Sequence, residues 1–359
     1  MGGRDNVVAM RRLAILVAVA ACHTDVPPDR TVEADGSYAV GTSSTTITDA
    51  ARSRTLGVQL WFPTSDAATP TAFDQLELAA NQATYAGLLA SAPSCPTRTL
   101  TVANHGQPLA GSFPVVLFSH CHSCTRLANA TTAARLASHG FVVAAVDHTS
   151  DTLWDHLAGH DSDITSAVLE VRAADVRFLL DTLPTLIDDI DPTRVGVFGH
   201  SFGSVTAGRV AQLDDRVSAA AGLCAPMDNP LTPGVSIAAL TMPLMFIVAE
   251  EDNSITEFGN TLIRNNFRDA PGSVWKYEVP DAGHWSVSDE DGLAPIFAPG
   301  CGAAKRQTDG SDFTYLDPEA GRALTAAYVT AFFKATLAGD AGARSYLDTA
   351  SFGVTVDHR

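Results

Sequence analysis

Basic side chains are scarce in this chain of 359 residues: 23 Lys and Arg stand against 40 Asp and Glu, a formal net charge of −17. Phosphate backbones and anionic surfaces are gripped by clustered Lys and Arg, so the balance argues against nucleic acid as a partner. No repeat period and no long low-complexity run is present, which sets aside solenoid and fibrous architectures. The apolar run at residues 13–21 falls short of the roughly 20 residues that cross a bilayer. What remains is globular, at 46% hydrophobic and 18% charged, and long enough to bury a sizeable core without disulfides.

The short apolar run has an address-like context. Arg4, Arg11 and Arg12 precede it and small residues follow, the pattern of an export signal. It ends Val19-Ala20-Ala21-Cys22, which resembles a bacterial lipobox. That resemblance implies cleavage before Cys22 and lipid on its sulfur and amino group, a firm anchor at about 0.8 kcal/mol per buried methylene. The expected plan is a signal peptide over 1–21, a tether over 22–36 containing Pro27-Pro28, one domain over 37–338 and a C-terminal tail over 339–359. The expected location is the periplasmic or outer face of a bacterial envelope, membrane-anchored; nothing in the sequence fixes the oligomeric state. Cys95, Cys121, Cys124, Cys224 and Cys301 then remain, and an odd count leaves at least one outside an internal disulfide. Cys121 can close on Cys124 and Cys95 on Cys301, but spacing alone does not decide.

The body alternates strand and helix. Strands are expected at 55–62, 114–119, 141–146, 195–198, 219–223, 244–248 and 274–279, and a helix over 125–138 ended by Gly140. Ile164, Val168, Val171 and Phe178 recur at helical spacing and predict a buried face. Asp317 with Pro318 starts a late helix that Gly339 stops. Short Val-rich strands without alternation, separated by helices, predict a mostly parallel sheet covered on both faces.

One turn carries the chemistry. Gly199-His200-Ser201-Phe202-Gly203 directly follows an apolar strand and precedes a helix, the context of a nucleophile elbow. A serine nucleophile needs a base, and the base needs an orienting acid. Downstream of Ser201 only His284 and His358 are available, and His358 is the penultimate residue, so His284 is the expected base. For the acid, Asp252 is preferred, in Glu250-Glu251-Asp252 after a strand; Glu251 and, on another loop, Asp228 are the alternatives. An oxyanion hole needs two N–H donors: Phe202 supplies one, and His122, or alternatively Cys121, the other.

These residues resemble the alpha/beta-hydrolase superfamily, in its branch of platelet-activating-factor acetylhydrolases and bacterial dienelactone-hydrolase-like proteins. The resemblance runs over roughly residues 37–290. It rests on 36–41 (GSYAVG), Arg54-Thr55-Leu56 with Trp61-Phe62-Pro63, Phe118-Ser119-His120, 136–148 (LASHGFVVAAVDH) and the elbow. It implies an alpha/beta-hydrolase fold, Ser201 as nucleophile, His284 as base, and His122 and Phe202 as oxyanion donors. Three departures stand out. Cys121 replaces the family's glycine after Ser119-His120, Cys224 occupies the acetylhydrolases' acid position, and Ser204 breaks the second elbow glycine pair. A thiol cannot orient imidazolium as a carboxylate does, so the acid is expected to have moved to Asp252, as in cutinase-like relatives. A serine at 201 also argues against dienelactone hydrolysis, which uses cysteine.

The expectation is a serine carboxylic-ester hydrolase without cofactor or metal, acting on small or lipid esters, with 1-alkyl-2-acetylglycerophosphocholine among the implied substrates and lipid degradation as the implied role. A cutinase-like polyester hydrolase is the alternative. From another class come a metal-binding lipoprotein, on His120, Cys121, His122 and Cys124 or on His156 and His160, and a non-catalytic surface lipoprotein. His200 is expected to pack beneath the elbow, Asp147 and His148 to hold a loop, and Trp285 to wall the acyl site or fill space.

Overall fold

The computed structural model describes residues 1–2 and 26–359, so the export segment, Cys22 and the start of the tether lie outside the described residues. Strand β1 (Ala39–Asp49) pairs antiparallel with β2 (Arg54–Thr64), and the polar excursion that follows holds β3 (Thr69–Ala72), α1 (Gln82–Ser91) and β4 (Thr99–Asn104). The chain continues through β5 (Phe113–Ser119), α2 (Ala130–Ser138), β6 (Val142–Val146), α3 (Leu153–Leu157) and α4 (Ser166–Thr182). Then come β7 (Ile190–His200), α5 (Phe202–Leu213), β8 (Val217–Leu223), β9 (Leu244–Ala249), α6 (Thr256–Asp269) and β10 (Val274–Val279). A small hairpin of β11 (Ala303–Lys305) and β12 (Asp312–Thr314) precedes α7 (Pro318–Leu337), α8 (Ala341–Leu347) and β13 (Thr355–His358).

The main sheet runs β13-β10-β9-β8-β7-β5-β6-β2-β1-β4-β3 among the described residues. From β6 to β10 every pairing is parallel. On β6, Val143 and Ala145 join one core, with Leu136 of α2 and Phe332 of α7, while Val142, Ala144 and Val146 join the other, with Val176 of α4, Val205 of α5 and Ile263 of α6. Successive side chains of a strand point to opposite faces, so a strand covered on both sides reads as a continuous apolar run.

Four sequence expectations shift. Helix α2 begins at Ala130 rather than Thr125, because Thr125 and Arg126 are held by Glu290 and Asp147 instead of by a helical ladder. The buried face of α4 is Leu169, Arg172, Val176 and Leu179, whereas Ile164 and Val171 are exposed. Residues 29–36 do not hang free: Asp29 takes the ammonium of Lys334 at 2.6 Å, its N–H reaches the Gly342 carbonyl at 2.9 Å, and Val32 is fully buried. Nor are residues 339–359 a tail. Strand β13 adds antiparallel to β10, covering an edge whose backbone groups would otherwise lack partners, and His358 stacks on Trp275 with ring centroids 4.5 Å apart. The packed domain therefore extends from about Asp29 to the last residue. Among the described residues no helix is long and apolar enough to cross a membrane.

Candidate active site

Strand β7 ends at His200 and α5 begins at Phe202, leaving Ser201 alone in the turn at φ 56°, ψ −122°. A left-handed φ is strained for serine, and the surroundings enforce it: the Ser201 N–H donates to the Leu223 carbonyl at 2.9 Å. Both elbow glycines are required by close approach. A Cβ at position 199 would lie 2.0 Å from the Gly203 carbonyl oxygen, and one at 203 would lie 2.0 Å from that of Ser119. The second contact seats the first turn of α5 against the loop that leaves β5. Ser204, the departure at the elbow, is accommodated because its hydroxyl donates to the Ala225 carbonyl at 2.7 Å.

The three candidate acids separate cleanly. Asp252, just past β9, is fully buried and its Oδ2 lies 2.7 Å from His284 Nδ1, just past β10. Its Oδ1 accepts the N–H groups of Ser254 and Ile255, each at 2.9 Å, which fixes the carboxylate plane. Glu251 turns to Arg306 at 2.9 Å and to the Gln307 N–H at 3.0 Å, and Asp228 accepts the Ile237 N–H at 2.9 Å. Only Asp252 reaches the imidazole. With Nδ1 engaged, Nε2 is the nitrogen of His284 left to exchange a proton. Ser201, Asp252 and His284 thus stand at the carboxyl ends of β7, β9 and β10, along one edge of the sheet.

Two neighbours support this pair without joining it. His200 places Nε2 2.9 Å from the His284 carbonyl; an oxygen there can only accept, so Nε2 carries the proton. Burial, and secondarily the charge on His284, holds the His200 imidazole well below its usual pKa, so it stays neutral beneath the elbow as expected. Trp285 packs edge-on to both His200 and His284 and against Phe297, filling space behind the base. Cys224, at the acetylhydrolases' acid position, is a buried unbridged thiol pushed well above its usual pKa by burial and by Asp252.

The loop after β5 is pinned on every side. Cys121 and Cys124 are bridged, as are Cys95 and Cys301. His120 accepts the His148 N–H at Nε2 (3.0 Å), which leaves the proton on Nδ1, and Nδ1 donates to the Cys121 carbonyl at 2.6 Å. In a trans peptide the C=O and the following N–H point in opposite directions. Fixing the Cys121 carbonyl on His120 therefore sets the direction of the His122 N–H, as Arg172 on the His120 carbonyl sets that of the Cys121 N–H.

The sequence did not announce what lies under this loop. Arg172, buried on α4, donates to the His120 carbonyl, to Asp151 and, at 3.2 Å, to Thr206, and its guanidinium lies 4.7 Å over the Phe202 ring. Asp151 accepts the Ser123 N–H at 3.2 Å and approaches His122 Nδ1 to 2.5 Å. His148 bridges Ser119 (3.0 Å) and Asp175 (3.2 Å), while Asp147 accepts from the backbone and guanidinium of Arg126 at 2.7 Å each. Asp147 and His148 are thus braces. A buried cation paired on both sides is the only signal that could have flagged Arg172, and an unaligned sequence does not display pairing.

The candidate metal clusters do not assemble. The sulfurs of Cys121 and Cys124 are joined to each other, and both ring nitrogens of His120 are occupied by backbone. His156 turns to Asp161 at 3.0 Å and His160 to Asp155 at 3.7 Å. A cleft of about 380 Å³ opens at Ser201, walled by Val205, Ile255 and Leu262, with Ile164, Leu231 and Phe258 on its rim.

A doubly covered parallel sheet, with a strained serine at one strand end and an aspartate–histidine pair at the next loops, defines an α/β-hydrolase fold. The comparisons say what the chain is similar to. A family model described as platelet-activating factor acetylhydrolase, isoform II, matches residues 26–154, and one described as PET hydrolase-like matches residues 115–264. A platelet-activating factor acetylhydrolase from Canis lupus familiaris is 25% identical over 197 residues, 42% of this chain and 43% of the relative, so the match spans less than half of that protein. The solved ferulic acid esterase from Streptomyces cinnamoneus superposes with a TM-score of 0.64 over 90% of this chain and 93% of the other, at 24% identity. The last likeness establishes the fold.

Proposed function

We propose that this chain is a serine carboxylic-ester hydrolase working through an acyl-enzyme. The observation that carries the reading is the 2.7 Å contact between buried Asp252 and His284 Nδ1, beside an elbow that holds Ser201 at positive φ. Ser201 Oγ attacks the ester carbonyl carbon and gives its proton to His284 Nε2. Asp252 holds the ring and stabilises the imidazolium. The oxyanion takes the N–H groups of Phe202 and His122; a donor of this kind contributes about 2.7–4 kcal/mol to the transition state. His284 then returns the proton to the leaving alcohol, and water repeats the sequence on the acyl-enzyme. The matches to acetylhydrolase and PET hydrolase-like models support ester chemistry of this type. The test is hydrolysis of p-nitrophenyl acetate by wild type and Ser201→Ala, with fluorophosphonate labelling of Ser201. Unchanged turnover in the variant would overturn the reading.

Small or lipid esters with short acyl groups are the first substrate class, consistent with the acetylhydrolase likeness. A cutinase-like action on polyesters is the second reading, favoured by the apolar cleft that opens directly at Ser201. Release of acid from polyester particles, compared with turnover of soluble acetyl esters, separates the two. The Val19-Ala20-Ala21-Cys22 stretch supports export and lipid anchoring at Cys22. Membrane partition lost in Cys22→Ala is the expected result; unchanged partition would dismiss the anchor.

A further inference from the structure

The small hairpin of β11 and β12 stands outside the main sheet, yet it touches both loops that carry the acid and the base. Its entry is tied down by the Cys95–Cys301 disulfide, and its exit by Leu316, whose N–H donates to the Asp281 carbonyl at 2.8 Å. Between these fixed ends lies Arg306. One terminal guanidinium nitrogen meets Glu251 at 2.9 Å, and the other meets Asp281 at 2.5 Å. Glu251 directly precedes Asp252, and Asp281 stands just before Ala282-Gly283-His284. The next residue continues the clasp. The Gln307 N–H donates to Glu251 at 3.0 Å, and its side-chain amide donates to the Asp252 carbonyl at 2.5 Å. Arg306 is itself steadied over the Phe313 ring, 4.9 Å from the centroid.

We propose that Arg306 is a positioning residue for ester hydrolysis: it ties the Asp252 loop to the His284 loop and so holds their 2.7 Å contact. This rests on the serine-hydrolase reading above. The acid follows β9 and the base follows β10, so their contact depends on how two separate loops are set. Two backbone bonds link those segments, from the Glu250 N–H to the Val279 carbonyl at 3.1 Å and from the Glu251 N–H to the Ala282 carbonyl at 2.9 Å. Asp281 has a left-handed φ of 57°, a conformation that persists only where its surroundings hold it.

A planar guanidinium can serve two carboxylates at once, whereas an ammonium acts as a point charge. The Arg306 side chain is 33% exposed, and ion pairs that water reaches add little to overall stability. Catalysis is far more demanding, since a misplacement of about 1 Å can cost about 100-fold in rate. Loss of the clasp therefore shows in turnover before it shows in folding. Arg306 touches neither the substrate nor the imidazole; it acts through Glu251 and Asp281.

The test uses the full chain, assayed with p-nitrophenyl acetate and by urea unfolding. Arg306→Met should lower kcat about tenfold, the effect of a small misplacement, with KM and the urea midpoint little changed. Arg306→Lys keeps the charge but not the fork, so it should recover part of that loss. Lys305→Met is the control: its ammonium pairs with Asp312 inside the hairpin at 2.6 Å, and kcat should stay at the wild-type value. In an Asp252→Asn background, Arg306→Met should add less than about twofold, because residues that act as a unit are not additive. A merely structural role would instead lower kcat by the same factor in both backgrounds, and that result would overturn the inference. So would full kcat in Arg306→Met, or in Arg306→Lys should the methionine variant not fold, or an equal fall in Lys305→Met. Full turnover in Ser201→Ala would remove the hydrolase reading itself, whereas a silent Arg306→Met beside an inactive Ser201→Ala removes the clasp alone.

Discussion

Arg172, on α4, donates to the main-chain carbonyl of His120 and so holds the loop that leaves β5 beside the elbow. The same guanidinium reaches Asp151, which in turn holds the Ser123 N–H and faces His122. One buried cation therefore orders a loop of the site without touching a substrate.

Replacing Arg172 by Met keeps much of its length and removes the charge. It strands Asp151 and the His120 carbonyl, and breaking a buried pair from one side costs about 3–5 kcal/mol. Urea unfolding should register a loss of that size. In the folded fraction, kcat for p-nitrophenyl acetate should fall while KM changes little, because the loop acts on the transition state. An equal kcat in a destabilised Arg172→Met would separate the brace from the reaction.

The acid assignment is sharper. Asp252→Asn keeps the shape but lets His284 adopt the wrong tautomer, and the corresponding change in serine proteases lowers kcat by about 10⁴-fold. Glu251→Gln and Asp228→Asn, whose carboxylates point elsewhere, should stay within about tenfold of wild type. Comparing kcat for the three variants decides the matter, and a deeper loss in either of the last two would transfer the role.

Buried histidines make the domain acid-sensitive. Burial and the charge of Arg172 depress His148 to about 4, against Asp175 and Asp151, which pull the other way, while Arg54 pairs with Asp175 and His120 lies beside the ring. A depressed histidine binds its proton more readily in the unfolded chain, so its stabilisation is complete above pH ~6.5 and drains away as the pH falls toward about 4. The span is worth about 3 kcal/mol at most. His120 and His200 are shifted in the same direction by burial and steepen the loss. Urea midpoints from pH 7 to pH 5 should drop, and His148→Gln should flatten the slope.

Legibility from sequence follows the physics of each element. The strands β5, β6 and β9 were readable because burial on both faces makes them continuously apolar, and Ser201 was readable because its turn needs small neighbours. The pairing of Asp252 with His284 was readable only as a preference, since three nearby carboxylates look alike until a fold separates them. The face of α4 was misread because Arg172 occupies a core position that periodicity assigns to an apolar residue. The two termini were misread for a related reason: Asp29 and His358 are polar, and their burial depends on partners, Lys334 and Trp275, far away in the chain.

The rim of the cleft sets the last expectation. Leu231 is 72% exposed and Phe258 57%, both beside the Ser201 opening, so water is displaced from them only when a substrate covers them. Each contributes affinity in proportion to the apolar area a substrate buries, about 25 cal/mol per Å². An acetyl group offers little apolar area to cover them, whereas a longer acyl chain or a polymer segment offers more. Leu231→Ser with Phe258→Ser should leave stability within about 0.5 kcal/mol, as exposed substitutions do. The double variant should keep its kcat/KM for p-nitrophenyl acetate and lose about tenfold for the octanoate. Equal losses on both esters would mean that the rim shapes the catalytic centre itself instead of extending the binding surface.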